Sequence, residues 1–352
     1  MQDTVILNDK VNEEWDKFVL SHPLGTIYHT SDWCQLISQT YDHKPFYLIK
    51  KDGNGDIKAG LPFFIIGNII TKKHISSLPG AQFCNPLLYN ANEFDGFIIH
   101  ILELIRQNGY KYFELKLNGS FPIQNKGSWS IINDYSIYTL DISRPLDEIF
   151  SSFHKSCIQR PINKMSKVGV KIVKGDTEND VNLFYNLYVN MRKQNGLLPQ
   201  PFKFFLNMWR ILSKKQLIEI LHAEHQGEII SSIILLKFKG TVIYEYGASN
   251  PSMMHLNPSH FLLWESIKNA KSEGYSLFDF GRTASENEGL SLFKSRWGTK
   301  QEALTYYYIP SMKGKVLIRH NEFLEKLMHI TVRNMPLSLA KFLGGIIFQQ
   351  IP

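Results

Sequence analysis

The stretch Asp279-Phe280-Gly281-Arg282, then Glu286, Gly289-Leu290 and Phe293-Lys294-Ser295-Arg296-Trp297-Gly298, gathers the side chains best suited to chemistry. Polar residues at the end of a sheet strand, followed by a glycine-bearing loop, are placed to line a crevice. Gly281 permits close backbone approach, and Arg282 offers a planar fork to phosphate or carboxylate. Lys294 offers a mobile point charge instead. A structural role suits the same residues. Asp279 and Arg282 can tie a strand to a helix, and Phe293 and Trp297, four apart, can be core contacts.

A second cluster is His154-Lys155, Arg160, Lys164 and Lys167. Arg160 and Lys164 share one face if the segment is helical, making a phosphate-sized positive patch. Pro161 works against that unless it lies in the first turn. A solvated basic surface is the competing reading. Tyr28, His29 and Trp33 form an aromatic–polar group, as do Tyr185, Tyr188 and Arg192. Such groups either pack or present a polar edge to a ligand. The histidines lack metal-ligand spacing: His255 and His260 are five apart with no carboxylate to complete a set. Neither a serine nucleophile elbow nor a phosphate loop ending in Gly-Lys-Ser/Thr is present.

The elements that must position these groups alternate between strand and helix periods, which predicts an α/β sheet protein. Strands are expected at 46–50, 57–66, 110–116, 135–140, 169–173, 217–224, 228–237, 241–247, 275–280 and 303–309. Helices are expected at 15–20, after a Thr30-Ser31-Asp32 cap, at 93–108, 146–155 and 181–194. One more should start at Asn257-Pro258 and close at Gly274. Two stretches follow one plan. The first runs from Gly55-Asp56-Ile57 to Gly109-Tyr110-Lys111-Tyr112-Phe113-Glu114-Leu115. The second runs from Gly227-Glu228-Ile229 to Gly274-Tyr275-Ser276-Leu277-Phe278-Asp279-Phe280. Gly-to-Gly distances of 54 and 47 residues suit a duplicated unit with one longer loop.

At 352 residues the chain exceeds a single growing core, so two domains are expected, 1–144 and 145–310. Residues 311–352 form a basic amphipathic tail. It has six cationic residues (Lys313, Lys315, Arg319, Lys326, Arg333, Lys341) against Glu322 and Glu325, a net +4 of the chain's +7. These fields favour phosphates, nucleic acid or an anionic membrane surface. Met335–Phe348 is too short to span a bilayer, yet a basic apolar segment can lie in the interface or dock on the second domain. Cys34, Cys84 and Cys157 show no paired spacing, and the N-terminal stretch has no signal-like apolar core. A cytoplasmic location with reduced thiols is expected.

One string carries a family resemblance: Tyr246-Gly247-Ala248-Ser249, Leu256-Asn257-Pro258, Leu263-Trp264, Ala270…Gly274, Asp279-Phe280-Gly281-Arg282, Gly289-Leu290, Phe293-Lys294 and Trp297-Gly298. It is similar to the FemAB-like peptidoglycan-bridge aminoacyltransferases of the acetyltransferase superfamily. Weaker matches are Tyr28…Trp33, Leu78-Pro79-Gly80 and Arg160…Lys164…Gly169-Val170. The resemblance implies two tandem GNAT-like α/β domains, mixed central sheets flanked by helices. It implies transfer of an activated acyl or aminoacyl group to an amine of a cell-envelope or glycan precursor. The alternative is an inactive relative that binds an anionic glycan or lipid-linked precursor.

By the same resemblance Lys294 lies near the reaction centre, and Arg160 and Arg282 meet phosphates or carboxylates. Lys164, Tyr28, Trp33, Tyr188, Arg192 and Tyr246 complete the expected substrate-binding set. Asp279 or Glu286 would orient or deprotonate the attacking amine, but a carboxylate pKa near 4 makes either a poor base without a large upward shift. No tightly bound cofactor is expected, and the donor is aminoacyl-tRNA or acyl-CoA. The stretch Asn250–Pro258 lacks the glycines of a coenzyme A pyrophosphate loop, and the coiled-coil insertion of some bridge enzymes is absent. Expected partners are a phosphorylated glycan, peptide or lipid-linked precursor, aminoacyl-tRNA, and the inner face of a membrane through the tail.

Overall fold

Alternating strand and helix periods become two α/β units in the computed structural model, which describes residues 4–8, 13–67, 72–90, 93–119, 129–311 and 322–350. The chain begins with β1 (Thr4–Asn8), α1 (Glu13–Ser21), α2 (Ser31–Tyr41), β2 (Pro45–Lys51), β3 (Ile57–Ile66), β4 (His74–Ser76), β5 (Leu87–Leu88), α3 (Glu93–Asn108) and β6 (Phe113–Asn118). There follow β7 (Ser130–Asp141), α4 (Leu146–Ser152), α5 (Arg160–Met165), β8 (Lys171–Gly175), α6 (Glu178–Gln194) and α7 (Phe202–Leu212). Next come β9 (Ile218–His225), β10 (Glu228–Phe238), β11 (Thr241–Ser249), α8 (Pro258–Ser272), β12 (Leu277–Ala284) and α9 (Glu288–Ser295). The last elements are β13 (Lys300–Ile309), α10 (Glu322–Asn334) and α11 (Leu337–Phe348).

The first unit comprises Met1–Asp134, Ala303–Glu322 and Ile346–Pro352. Its strands run β1-β2-β3-β4-β6-β13, with β5 beside β3. Neighbours are antiparallel except β4 and β6. The second unit comprises Tyr135–Glu302 and Phe323–Gly345. Its order is β7-β12-β11-β10-β9-β8, antiparallel except β11 and β12. In each unit a hairpin, a further antiparallel strand, a helix and a parallel strand follow in that order. The paired glycines of the two sequence copies explain the match. Gly55 and Gly227 turn the hairpins at φ +89° and +82°, and Gly109 and Gly274 close the helices at +67° and +87°. Only glycine enters that left-handed region without strain.

The second unit buries both faces of its sheet. Leu221, Ala223, Ile233, Leu235 and Val242 join Leu262, Leu263 and Ile267 of α8 in one core. The alternating residues face α6, where His222 lies 3.3 Å from Asp180. This mixed sheet with helices on its faces agrees with the α/β expectation.

The units part differently from the expected cuts at 144 and 310. β7 pairs β12 from Asp141 opposite Leu277 to Tyr135 opposite Ala284, so residues from 135 onward join the second unit. β13 returns to the first unit, with Leu304 opposite Asn118 and Ile309 opposite Phe113. Such long-range pairing leaves no local mark on composition. Nor do residues 311–352 form a separate tail. Val332 and Ala340 are buried, and a Cβ on Gly344 would lie 2.0 Å from the Pro199 carbonyl oxygen. Lys313, Lys315 and Arg319 lie outside the described residues. No helix among the described residues is long and apolar enough to cross a membrane.

Candidate active site

β11 and β12 run parallel only from Thr241–Ile243 beside Leu277–Asp279. Each then bulges away from that pairing. On β11 the register slips between Tyr244 and Tyr246, leaving Glu245 as the extra residue. On β12 it slips between Asp279 and Arg282, with Gly281 at φ +79°. Asp279 therefore sits where the strands part. Its Oδ1 accepts from the Gly281 N–H at 2.7 Å, which holds the bulge closed.

Lys294 comes to the same point from the last turn of α9. That helix is started by Asn287, whose side chain accepts from the Leu290 N–H. The Lys294 ammonium donates to the Gly281 and Arg282 carbonyls at 2.8 and 3.1 Å, with the Tyr138 ring 5.8 Å away. Lys294 is 3% exposed and Asp279 4%. Burial pushes the Asp279 carboxyl up to about 7; the Gly281 N–H and Lys294 pull the other way, and Glu245 adds to the rise. Burial brings Lys294 down to about 8, against the attraction of Asp279 and Glu245, while Arg282 lowers it further. Both shifts run toward neutrality, the range in which general acids and bases work.

The same unit holds a cavity of about 300 Å³, whose wall includes neither Asp279 nor Lys294. Phe293 forms part of its wall, next in sequence to Lys294, with Ile233, Tyr244, Gly247, Met254 and Ser259. Gly247 leaves room for the Tyr244 hydroxyl: a Cβ would sit 1.9 Å from it, and that ring would have to move. The segment from Pro251 to Leu256 is a 3-10 turn rather than a glycine loop, and Asn257 ends it at φ +56°. Asn257 therefore occupies the expected cap position of α8 without making the expected side-chain bond.

Arg160 and Lys164 are both exposed on α5, whose first turn contains Pro161. The chain enters α5 through a π-turn, Lys155–Gln159, in which the Arg160 N–H donates to Lys155 O. Pro161 has no N–H for the Cys157 carbonyl four residues back, and the His260 ring takes that acceptor instead. Arg282 is exposed, its guanidinium 4.6 Å from the Tyr135 ring.

Other expected site residues are placed elsewhere. Tyr28 and Trp33 are wholly buried in the first unit and pack edge-on at 4.8 Å, so they offer no surface to a ligand. Arg192 spends its donors on the Leu198 carbonyl at 2.8 and 3.1 Å. Tyr188 is buried and accepts from the Gln200 N–H, so both residues fasten the segment after α6. Tyr246 joins the same aromatic group, 5.1 Å from Phe205. Glu286 lies exposed in the turn after β12, apart from the buried pair. Sequence reasoning missed Glu245, Tyr138 and Tyr244. An acidic residue set between two tyrosines in an apolar strand was a signal for the first; Tyr138 carried none. Among the described residues no group of His, Cys, Asp or Glu could hold a metal ion.

Comparison with known proteins gives concordant matches. The acetyltransferase (GNAT) domain family matches residues 152–294. The chain is 22% identical to the lipid II:glycine glycyltransferase of Staphylococcus epidermidis, covering 82% of this chain and 88% of that one. It is 26% identical over 146 residues to the UDP-N-acetylmuramoylpentapeptide-lysine N(6)-alanyltransferase of Weissella viridescens, a match that spans 42% of each chain. The crystal structure of FemX superposes with a TM-score of 0.70 at 16% identity, over 92% of this chain and all of that one.

Proposed function

We propose, from the premise that this chain belongs to the FemAB- and GNAT-like aminoacyltransferase superfamily, that it transfers an activated acyl or aminoacyl group to an amine of a cell-envelope or glycan precursor. The observation that carries this reading is the buried Asp279 and Lys294, both shifted toward neutrality where β11 and β12 part. The amine nitrogen bonds to the donor carbonyl carbon, and the donor's C–O or C–S bond breaks. The amine gives up one proton, and the leaving oxygen or sulfur gains one. Asp279 accepts the first, directly or through the substrate. Lys294 stabilises charge developing on the carbonyl or the leaving group.

Arg160, Lys164 and Arg282 meet phosphates of the acceptor. The two units are tandem GNAT-like domains, a reading supported by their common strand order. The donor is an aminoacyl ester such as aminoacyl-tRNA, or an acyl thioester. The 3-10 turn in place of a glycine loop argues for the ester. The protein works on the cytoplasmic side, at the inner face of a membrane.

Incubation of the full chain with aminoacyl-tRNA or acyl-CoA and amine-bearing phosphorylated precursors, followed by mass spectrometry, should show one acyl increment on the acceptor. Tight precursor binding with no donor consumed would leave a binding protein in place of an enzyme.

A further inference from the structure

We propose that the outward stripe of the two C-terminal helices is a docking surface for an anionic lipid bilayer. α11 has two faces. Ala340 is fully buried, and Gly344 approaches the Pro199 carbonyl so closely that a Cβ could not fit. These two residues, four apart, seat the helix. Lys341 beside them lies over the Tyr185 ring at 5.4 Å. On the opposite side Leu339 and Phe342, at i and i+3, are 44% and 65% exposed. α10 repeats the pattern. Val332 is buried and His329 packs against Gly196, while Leu327 and Ile330 on the opposite side are each about half exposed.

A run of large apolar side chains facing solvent, on helices already anchored by their small residues, marks a surface that is covered in use. Charge identifies what covers it. Residues 311–352, which end in these helices, contain six cationic residues against Glu322 and Glu325, a net +4, of which α10 and α11 themselves contribute +1. Cations flanking an exposed apolar stripe suit the headgroup layer of an anionic bilayer, which attracts the charges and admits the apolar side chains. Twelve residues of helix rise about 18 Å, short of a hydrocarbon core of about 30 Å, so α11 lies in the interface plane. This surface is independent of the acyl-transfer reading and stands or falls without it.

The test is vesicle co-sedimentation of the full chain, using phosphatidylcholine alone and phosphatidylcholine mixed with phosphatidylglycerol. Binding should be roughly tenfold or more tighter to the anionic vesicles and weaken with salt. The double variant Leu339→Asp, Phe342→Asp should lose that binding by at least about tenfold, since it removes insertion at two exposed positions. Its thermal midpoint should hold. Arg333→Glu should reduce the anionic preference with the stripe intact. Point variants are required because removal of α10 and α11 would uncover the residues packed beneath Val332 and Ala340. Equal binding to both vesicle types, or equal binding by the double variant, overturns the proposal. So does a dimer in sedimentation velocity that the double variant dissociates, which would make the stripe a contact between copies.

Discussion

Replacing Lys294 by methionine removes a buried ammonium while keeping a side chain of similar length. The ordinary lysine value of 10.5 falls to about 8 in the folded protein. That gap corresponds to about 3 kcal/mol held against the folded state wherever both states are protonated. The unfolded chain keeps its proton up to the ordinary value and the native protein releases it near 8, so wild-type stability rises with pH across that window. Methionine abolishes the rise. It also leaves the Gly281 and Arg282 carbonyls without their donor, at about 1–3 kcal/mol for each buried acceptor.

At pH 7 the two changes oppose each other, and the proteins should differ little in stability. Urea unfolding at a series of pH values separates them. The wild-type minus variant difference should grow by about 3 kcal/mol between pH 8 and 10.5. Turnover should fall by roughly 10²–10³, the usual effect of losing one preorganised donor at a developing charge. A flat stability difference over that window would mean that the ammonium is solvated, and the assignment of Lys294 would fall with it.

Asp279→Asn keeps an acceptor for the Gly281 N–H but cannot titrate. With the wild-type carboxyl raised to about 7 from 3.8, native stability should fall by about 4 kcal/mol as pH rises through that range. The variant should lack this fall in unfolding experiments, and its rate profile should lose the limb near neutrality. Arg160→Gln with Lys164→Gln should raise the acceptor KM about tenfold or more with kcat retained, as expected for lost phosphate contacts. An unchanged KM in steady-state kinetics would remove α5 from the acceptor site. Gly344→Ala places a Cβ against Pro199 and should cost about 1–3 kcal/mol, read as a lower thermal midpoint in calorimetry.

The residues that govern local conformation were legible. The helix 93–108 and the strand 57–66 were expected at the bounds observed, because apolar period and flanking glycines agree there. Asp279 and Lys294 were marked through the family resemblance, since their types and spacing alone suited a structural role equally well. What escaped depends on partners far away in sequence. A bulge at Glu245 arises from the register of two neighbouring strands and has no composition of its own. Tyr28 and Trp33 carry polar tips whether they bind or pack, and only burial decides. Arg192 looked like an anion holder until its fork met the Leu198 carbonyl.

The return of β13 to the first unit bears on how the chain is made. β6 ends at Asn118, and its partner on that side, β13, begins at Lys300, 182 residues later. At roughly 5–20 residues per second, a ribosome leaves that strand edge open for about 10–40 s. An open apolar edge is a template for pairing with a neighbouring nascent chain. β6 reads Phe-Glu-Leu-Lys-Leu-Asn, and its Glu114 and Lys116 end up 2% exposed, Glu114 bonded by the Tyr308 hydroxyl at 2.7 Å. Tyr308 belongs to the late strand. Until it arrives, the two charges are what makes intermolecular pairing costly. A glutamate and a lysine that look wasteful in the finished core thus serve the unfinished one, as guards of an edge that translation keeps waiting.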